Sequence, residues 1–115
     1  MGTSDADPAL LTPDEVRNAQ FLTVRFFEGY AMDEVDDFLD VVASDLELRW
    51  KARTLPTGSA DRAAVSKHRL DAAAVRHQTF HTVRVKEGYS MYAVDEFLER
   101  IEHTFRIMDQ DETRR

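Results

Sequence analysis

Residues 21–39 read FLTVRFFEGYAMDEVDDFL, and residues 80–98 read FHTVRVKEGYSMYAVDEFL. Aligned without a gap from Leu11/Leu70 to Arg49/Met108, 15 of 39 positions are identical. This internal duplication limits what the chain can fold into more than any other feature. Whatever one copy forms, the other forms too. In a chain of 115 residues each copy is also too small to bury an apolar face alone. The two repeats are therefore expected to share one core rather than to fold as beads on a string.

Each repeat reads as a short helix, a loop and a longer helix. In the first, Thr12 is placed to cap, Pro13 suits the first helical position and Glu15 completes a capping box. In the second, Asp71 replaces Thr12, but a single longer helix over 60–77 with an irregularity near Leu70 is favoured. The longer helices carry a two-per-heptad apolar seam. In repeat 1 it runs through Met32, Val35, Leu39, Val42 and Leu46. In repeat 2 it runs through Met91, Val94, Leu98, Ile101, Phe105 and Met108. Phe38 and Phe97 widen both faces, and Trp50 extends the first helix towards Arg53. LPTGS, residues 55–59, breaks it. The boundaries are then a disordered N-terminus over 1–10, repeat 1 over 11–53, a turn over 54–59, repeat 2 with its leading helix over 60–108, and a frayed tail over 109–115. The fold class these patterns predict is all-α, a small bundle of two helix-loop-helix repeats with a coiled-coil-like parallel seam.

Geometry gives the duplication a purpose. A helix over 32–53 is about 33 Å long and one over 60–77 about 27 Å. With a reversal at 55–59, the second loop returns beside the first and the last helix runs parallel to the earlier long one. One chain would then build an intrachain pseudo-dimer. The same heptad registers also permit a homodimer in which each repeat meets its own copy; the single-chain arrangement is favoured.

Charge and residue types exclude several functions. A net charge of −7 opposes nucleic acid as a main partner, because phosphate binding needs a basic field. With no cysteine there is no disulfide framework and no thiol chemistry. No apolar run approaches a membrane span, and the acidic, polar MGTSDADPAL is unlike a signal peptide. A cytoplasmic protein is expected. His68, His77, His81 and His103 do not recur between repeats and read as surface residues. The acidic run over 33–37 becomes YAVDE in repeat 2 and reads as a helix N-terminus complementing its dipole. No catalytic residue, metal site or cofactor is expected, and no enzyme activity.

The recurring residues sort into core and tip. Val16/Val75, Phe21/Phe80, Val24/Val83, Val35/Val94 and Leu39/Leu98 are expected in the core. Gly29/Gly88 is expected to give the turn its backbone freedom, with Tyr30/Tyr89 packed over it. Arg25/Arg84 pairs either with Glu28/Glu87 or Asp36/Asp95, or stands at an exposed tip. Phe26 and Phe27 are Val85 and Lys86 in repeat 2. A buried position would seldom accept that lysine, so the Phe27/Lys86 site should face outward.

The opening LTPDEVRNAQF, the VR..EGY loop and the V-D-x-F-L helix start together resemble the DivIVA domain, in the tandem form found in actinobacterial proteins. The resemblance covers residues 11–49 and 70–108. It implies a non-enzymatic scaffold of bacterial cell division or polar growth. It implies two parallel long helices whose loops cross at one tip, where an exposed aromatic residue and a neighbouring arginine touch the membrane. Carried onto this chain, the contact residues are Arg25, Phe26 and Phe27, with Arg84, Val85 and Lys86 opposite. The departures are the longer loop type, and Ala31 and Ser90 where an aspartate often follows the tyrosine. Two functions are expected to compete. One is an interaction module peripheral to the inner face of the cell membrane at septum or pole. The other is a soluble adaptor that binds a full-length DivIVA-like partner without touching lipid.

Overall fold

The computed structural model describes residues 10–53 and 70–113. The expected disordered N-terminus, for residues 1–9, the expected turn over 54–59 and the helix expected from residue 60, for residues 60–69, fall outside the described residues. Repeat 1 comprises α1 (Pro13–Arg17), β1 (Thr23–Val24), β2 (Gly29–Tyr30) and α2 (Met32–Ala52). Repeat 2 comprises α3 (Ala72–Arg76), β3 (Thr82–Val83), β4 (Gly88–Tyr89) and α4 (Met91–Thr113). α4 thus continues to Thr113, into the segment expected to fray.

The all-α expectation is overturned. The four short strands form one antiparallel sheet in the order β1-β4-β2-β3. Each strand is two residues long, too short for the alternation that marks a strand in sequence. The ladder is also entirely between repeats. β1 pairs with β4 (Thr23 opposite Tyr89, Val24 opposite Gly88), and β2 pairs with β3 (Gly29 opposite Val83, Tyr30 opposite Thr82). At the centre Tyr30 faces Tyr89, the same residue in both repeats, so an approximate two-fold axis passes between them. The ladder continues past the strands: Ser90 N–H donates to the Leu22 carbonyl at 2.8 Å, and Ala31 N–H to the His81 carbonyl at 2.9 Å. Among the described residues neither repeat closes a hairpin of its own.

The glycines have a reason other than the expected one. Neither lies in the left-handed region of backbone space. A Cβ on Gly29 would stand 2.8 Å from the Tyr89 carbonyl oxygen and 2.8 Å from Val24 Cγ2; one on Gly88 would meet Val83 Cγ2 at 2.8 Å and the Tyr30 oxygen at 2.9 Å. The strands cross too closely for a side chain there.

Helix starts follow their caps. At α1, Thr12 Oγ1 accepts from Glu15 N–H (3.2 Å) while Glu15 Oε1 accepts from Thr12 N–H (2.9 Å), the reciprocal capping box. At α3, Asp71 accepts from Ala74 N–H at 2.8 Å. Leu70 and Asp71 are not helical and α3 begins at Ala72, so the irregularity expected near Leu70 lies at this point. The cause is tertiary: Leu70 N–H donates to Asp45 Oδ1 (2.9 Å) and its carbonyl accepts from Arg49, so neither backbone group is left for a helix.

Each short helix packs on the long helix of its own repeat. α2 and α4 leave the sheet together and meet again at their far ends, where Arg49 pairs with Asp109. Of the expected seam, Val35, Leu39, Val42, Leu46, Val94, Ile101, Phe105 and Met108 are buried. Met32, Met91 and Leu98 are half-buried. Leu11, Val16 and Val75 complete the core from the short segments, and Phe21, Phe38, Phe80 and Phe97 pack against it.

Candidate interaction tip at the crossed loops

The loops over 25–28 and 84–87 follow β1 and β3 and cross each other, since β1 runs parallel to β2 and β3 to β4. They are joined there: Phe26 N–H donates to the Arg84 carbonyl at 2.9 Å. Phe26 holds φ 70°, the left-handed region that an L residue other than glycine seldom enters. Such a conformation costs on the order of 1–3 kcal/mol and persists only where the surroundings impose it. Here the inter-loop hydrogen bond and the crossing strands impose it.

What the tip displays is apolar and basic. Phe26 is 71% exposed, Phe27 72% and Val85 78%. Arg25, Arg84 and Lys86 are also exposed. Among the described residues neither Arg25 nor Arg84 forms an ion pair with the carboxylates offered as the alternative, and three of those four take other partners. Asp36 and Asp95 each accept a tyrosine hydroxyl, and Glu28 Oε2 accepts from Thr82 Oγ1 at 3.0 Å. The tip sets three cations against Glu28 and Glu87, in a chain whose overall charge is −7. All six residues expected at the contact site lie on these two joined loops.

Behind the tip, aromatic rings fix the crossing. Phe21 stands edge-on to Tyr89 (5.2 Å between centroids) and to Phe97 (5.5 Å). Phe80 does the same with Tyr30 (5.3 Å) and Phe38 (5.8 Å). The Tyr30 hydroxyl donates to Asp95 Oδ1 and the Tyr89 hydroxyl to Asp36 Oδ1, each at 2.7 Å. Both phenols are pushed up to about 12, first by burial and then by the hydrogen bond to the neighbouring carboxylate. These tyrosines therefore tie the repeats to each other rather than covering their own turns. The signal for this was in the sequence: Tyr30/Tyr89 and Asp36/Asp95 recur together.

One clip breaks the symmetry. Glu34 accepts from His81 N–H (2.8 Å) and meets the His81 ring Nδ1 (2.8 Å). The backbone N–H of His81, then its ring, hold the Glu34 carboxyl below its ordinary value. Of the other histidines, His77 is exposed, His103 half-buried and His68 outside the described residues. No group of three or more metal-ligating side chains forms among the described residues. A groove of about 360 Å³ opens between α3 and α4, lined by Arg76, Asp95, Leu98, Glu99 and Glu102 among others. Its central carboxylate, Glu102, is held below the ordinary range by hydrogen bonds from Arg76 and then Arg106, so the groove presents a closed ion network.

At the opposite end of the long helices lies a cluster that comparing the repeats for identities overlooks. Arg49 is buried, with Nε 2.9 Å from Asp45 Oδ2 on its own helix. It also pairs with Asp109 and lies 3.9 Å over the Phe105 ring. Asp45, Arg49 and Asp109 have Thr104, Met108 and Trp50 as their counterparts, so none of them recurs.

No helix among the described residues is long and apolar enough to cross a membrane. Comparison with protein-family models, with curated proteins and with solved structures returned no match.

Proposed function

We propose that this chain is a non-enzymatic interaction module of the DivIVA-like type, which docks its crossed-loop tip on an anionic lipid surface. One observation carries the reading: Phe26 and Phe27 are both exposed, side by side, next to exposed Arg25. Fully burying one such ring is worth about 1.5–3 kcal/mol. Each basic residue near an anionic leaflet adds about 1 kcal/mol. Two rings and three cations, opposed by Glu28 and Glu87, give weak, reversible attachment. That suits a peripheral scaffold at division sites or growing poles, where many copies act together.

The test is co-sedimentation of the whole chain with phosphatidylcholine vesicles, with and without phosphatidylglycerol. Binding should appear with the anionic lipid and weaken with salt. Phe27→Lys should abolish it while leaving stability within about 0.5 kcal/mol, as for ordinary surface changes. A large stability loss would mean that Phe27 is part of the packing, and no binding to either vesicle would end the lipid reading.

A second reading has its own support. Away from the tip, α2 and α4 expose Asp33, Asp37, Asp40, Glu47, Glu96 and Glu99. This acidic shaft is repelled by an anionic surface. A soluble adaptor would use the same tip on a full-length DivIVA-like scaffold. It would then bind that purified scaffold through Phe27 and ignore both vesicles.

A further inference from the structure

The sheet is built only of contacts between repeats, so a repeat needs a second repeat to complete it. The ladder itself does not say which. Thr23, Val24, Gly29 and Tyr30 recur as Thr82, Val83, Gly88 and Tyr89, and the Tyr–Asp hydrogen bonds recur with them. At the tip end, repeat 1 could meet a second repeat 1 through the same ladder, losing the exposed contact between the His81 ring and Glu34.

The far end is different. Leu11 N–H donates to Thr104 Oγ1 (3.0 Å) and its carbonyl accepts from Trp50 Nε1 (3.1 Å). Leu70 is the counterpart of Leu11, and its N–H donates to Asp45, the counterpart of Thr104. Its carbonyl cannot follow the same plan, because Asp109 stands where the indole N–H of Trp50 would be. Arg49 crosses from repeat 1 to supply the bond, pairs with Asp109 and covers Phe105.

Now exchange the partners. With repeat 1 on repeat 1, Asp109 is replaced by Trp50 and Phe105 by Leu46. Two buried guanidinium groups then lose a carboxylate and a ring, a heavy loss for a desolvated charge. With repeat 2 on repeat 2, Arg49 is replaced by Met108. Both Leu70 carbonyls then face Asp109 with no donor, and two Phe105 rings crowd a space now shared by one ring and Leu46.

We infer that the buried Arg49 cluster is a pairing-specificity device, which makes the seam accept repeat 2 opposite repeat 1 and reject either repeat opposite its own copy. The duplicated tip gives affinity, and the diverged far end gives identity. This inference does not depend on what the tip binds.

The chain has no cysteine, so introduced pairs can report pairing in the whole protein. Leu22 and Ser90 lie opposite across β1 and β4, at a Cα separation of about 5.5 Å or less and within disulfide reach. Leu22→Cys with Ser90→Cys therefore reports repeat 1 on repeat 2. Ala31 is the counterpart of Ser90, so Leu22→Cys with Ala31→Cys reports repeat 1 on repeat 1. Within one chain that second pair is separated by β4, about two strand spacings or roughly 9.5 Å apart, too far to close.

Each variant is unfolded in urea, refolded at high concentration in a glutathione buffer, and resolved on a non-reducing gel. The first should close its disulfide. The second should give no covalent dimer beyond a single-cysteine control. Adding Asp45→Thr and Arg49→Met writes repeat 2's own residues into repeat 1 and keeps an acceptor for Leu70 N–H. A covalent dimer of the Leu22→Cys/Ala31→Cys chain should then appear. Asp109→Ala, at a half-exposed position, is the milder second change and should release the same dimer, with circular dichroism confirming that each variant is folded. A dimer of comparable yield without any change at the far end overturns the inference. So does its absence from folded chains carrying either change.

Discussion

Gly29→Ala tests the reason given for the glycines. The added methyl would stand 2.8 Å from the Tyr89 carbonyl oxygen and 2.8 Å from Val24 Cγ2. Neither neighbour can swing aside. The first is backbone in β4, held by the Thr23–Tyr89 and Tyr30–Tyr89 pairings; the second is a β-branched side chain with few rotamers. Relief requires opening the crossing by several tenths of an ångström, against both tyrosine hydrogen bonds. Overpacking of this kind costs about 1–3 kcal/mol, and the rigidity of both neighbours places Gly29→Ala near the top of that range. For a domain of this size, about 3 kcal/mol lowers Tm by roughly 10 °C or more. Urea denaturation followed by circular dichroism, repeated as a thermal melt, measures both. Gly29→Asn separates close approach from the turn freedom first expected. A left-handed backbone would favour asparagine over alanine, whereas a steric crossing makes asparagine at least as damaging. Loss under about 0.5 kcal/mol for Gly29→Ala, or rescue by asparagine, would refute the steric argument.

Other outcomes follow from the same geometry. Phe26→Gly should raise the urea midpoint slightly, since relief of the left-handed strain (about 1–2 kcal/mol) exceeds the entropy glycine adds to the unfolded chain (about 0.4–1 kcal/mol), while weakening any binding at the tip. Leu39→Ala should cost about 2–5 kcal/mol in denaturation, and Leu98→Ala clearly less, because Leu39 is buried and Leu98 borders the open groove beside α3. Tyr30 and Tyr89 have folded pKa values raised from 10.0 to about 12. Their contribution is therefore full below pH 10 and lost as pH rises towards about 12. An alkaline stability profile should fall in that window, and Tyr30→Phe should flatten part of the fall.

The helices were legible because their signal is long. A seam from Val35 to Leu46, repeated from Val94 to Phe105, outlasts any accident of composition. The sheet was not legible, for two physical reasons. Two-residue strands such as Thr23–Val24 carry no period, and their partners lie in the other repeat, so no hairpin signal joins them. The tip could be read from one substitution, since a lysine at position 86 marks the Phe27 site as outward. The tyrosine–aspartate ties show in the sequence as recurring residues, but recurrence alone does not pair them, because a recurring arginine nearby competes as a mate for each carboxylate. The Arg49 cluster was hidden for the opposite reason. Comparing repeats directs attention to what they share, and this cluster lies where they differ.

The interlaced strand order also governs how the protein is made. Every rung of the sheet joins stretches that lie about one 59-residue repeat apart, so there is no local hairpin to nucleate and the contact order of the sheet is high. On a ribosome, at about 5–20 residues per second, the first repeat waits roughly 3–12 s before residues 82–89 are polymerised. Through that interval β1 and β2 have no pairing partner, and the apolar faces of α1 and α2 lack the cover that α4 later gives them. The nascent chain is then an open edge seeking a complement, and the one that completes it is its own second half.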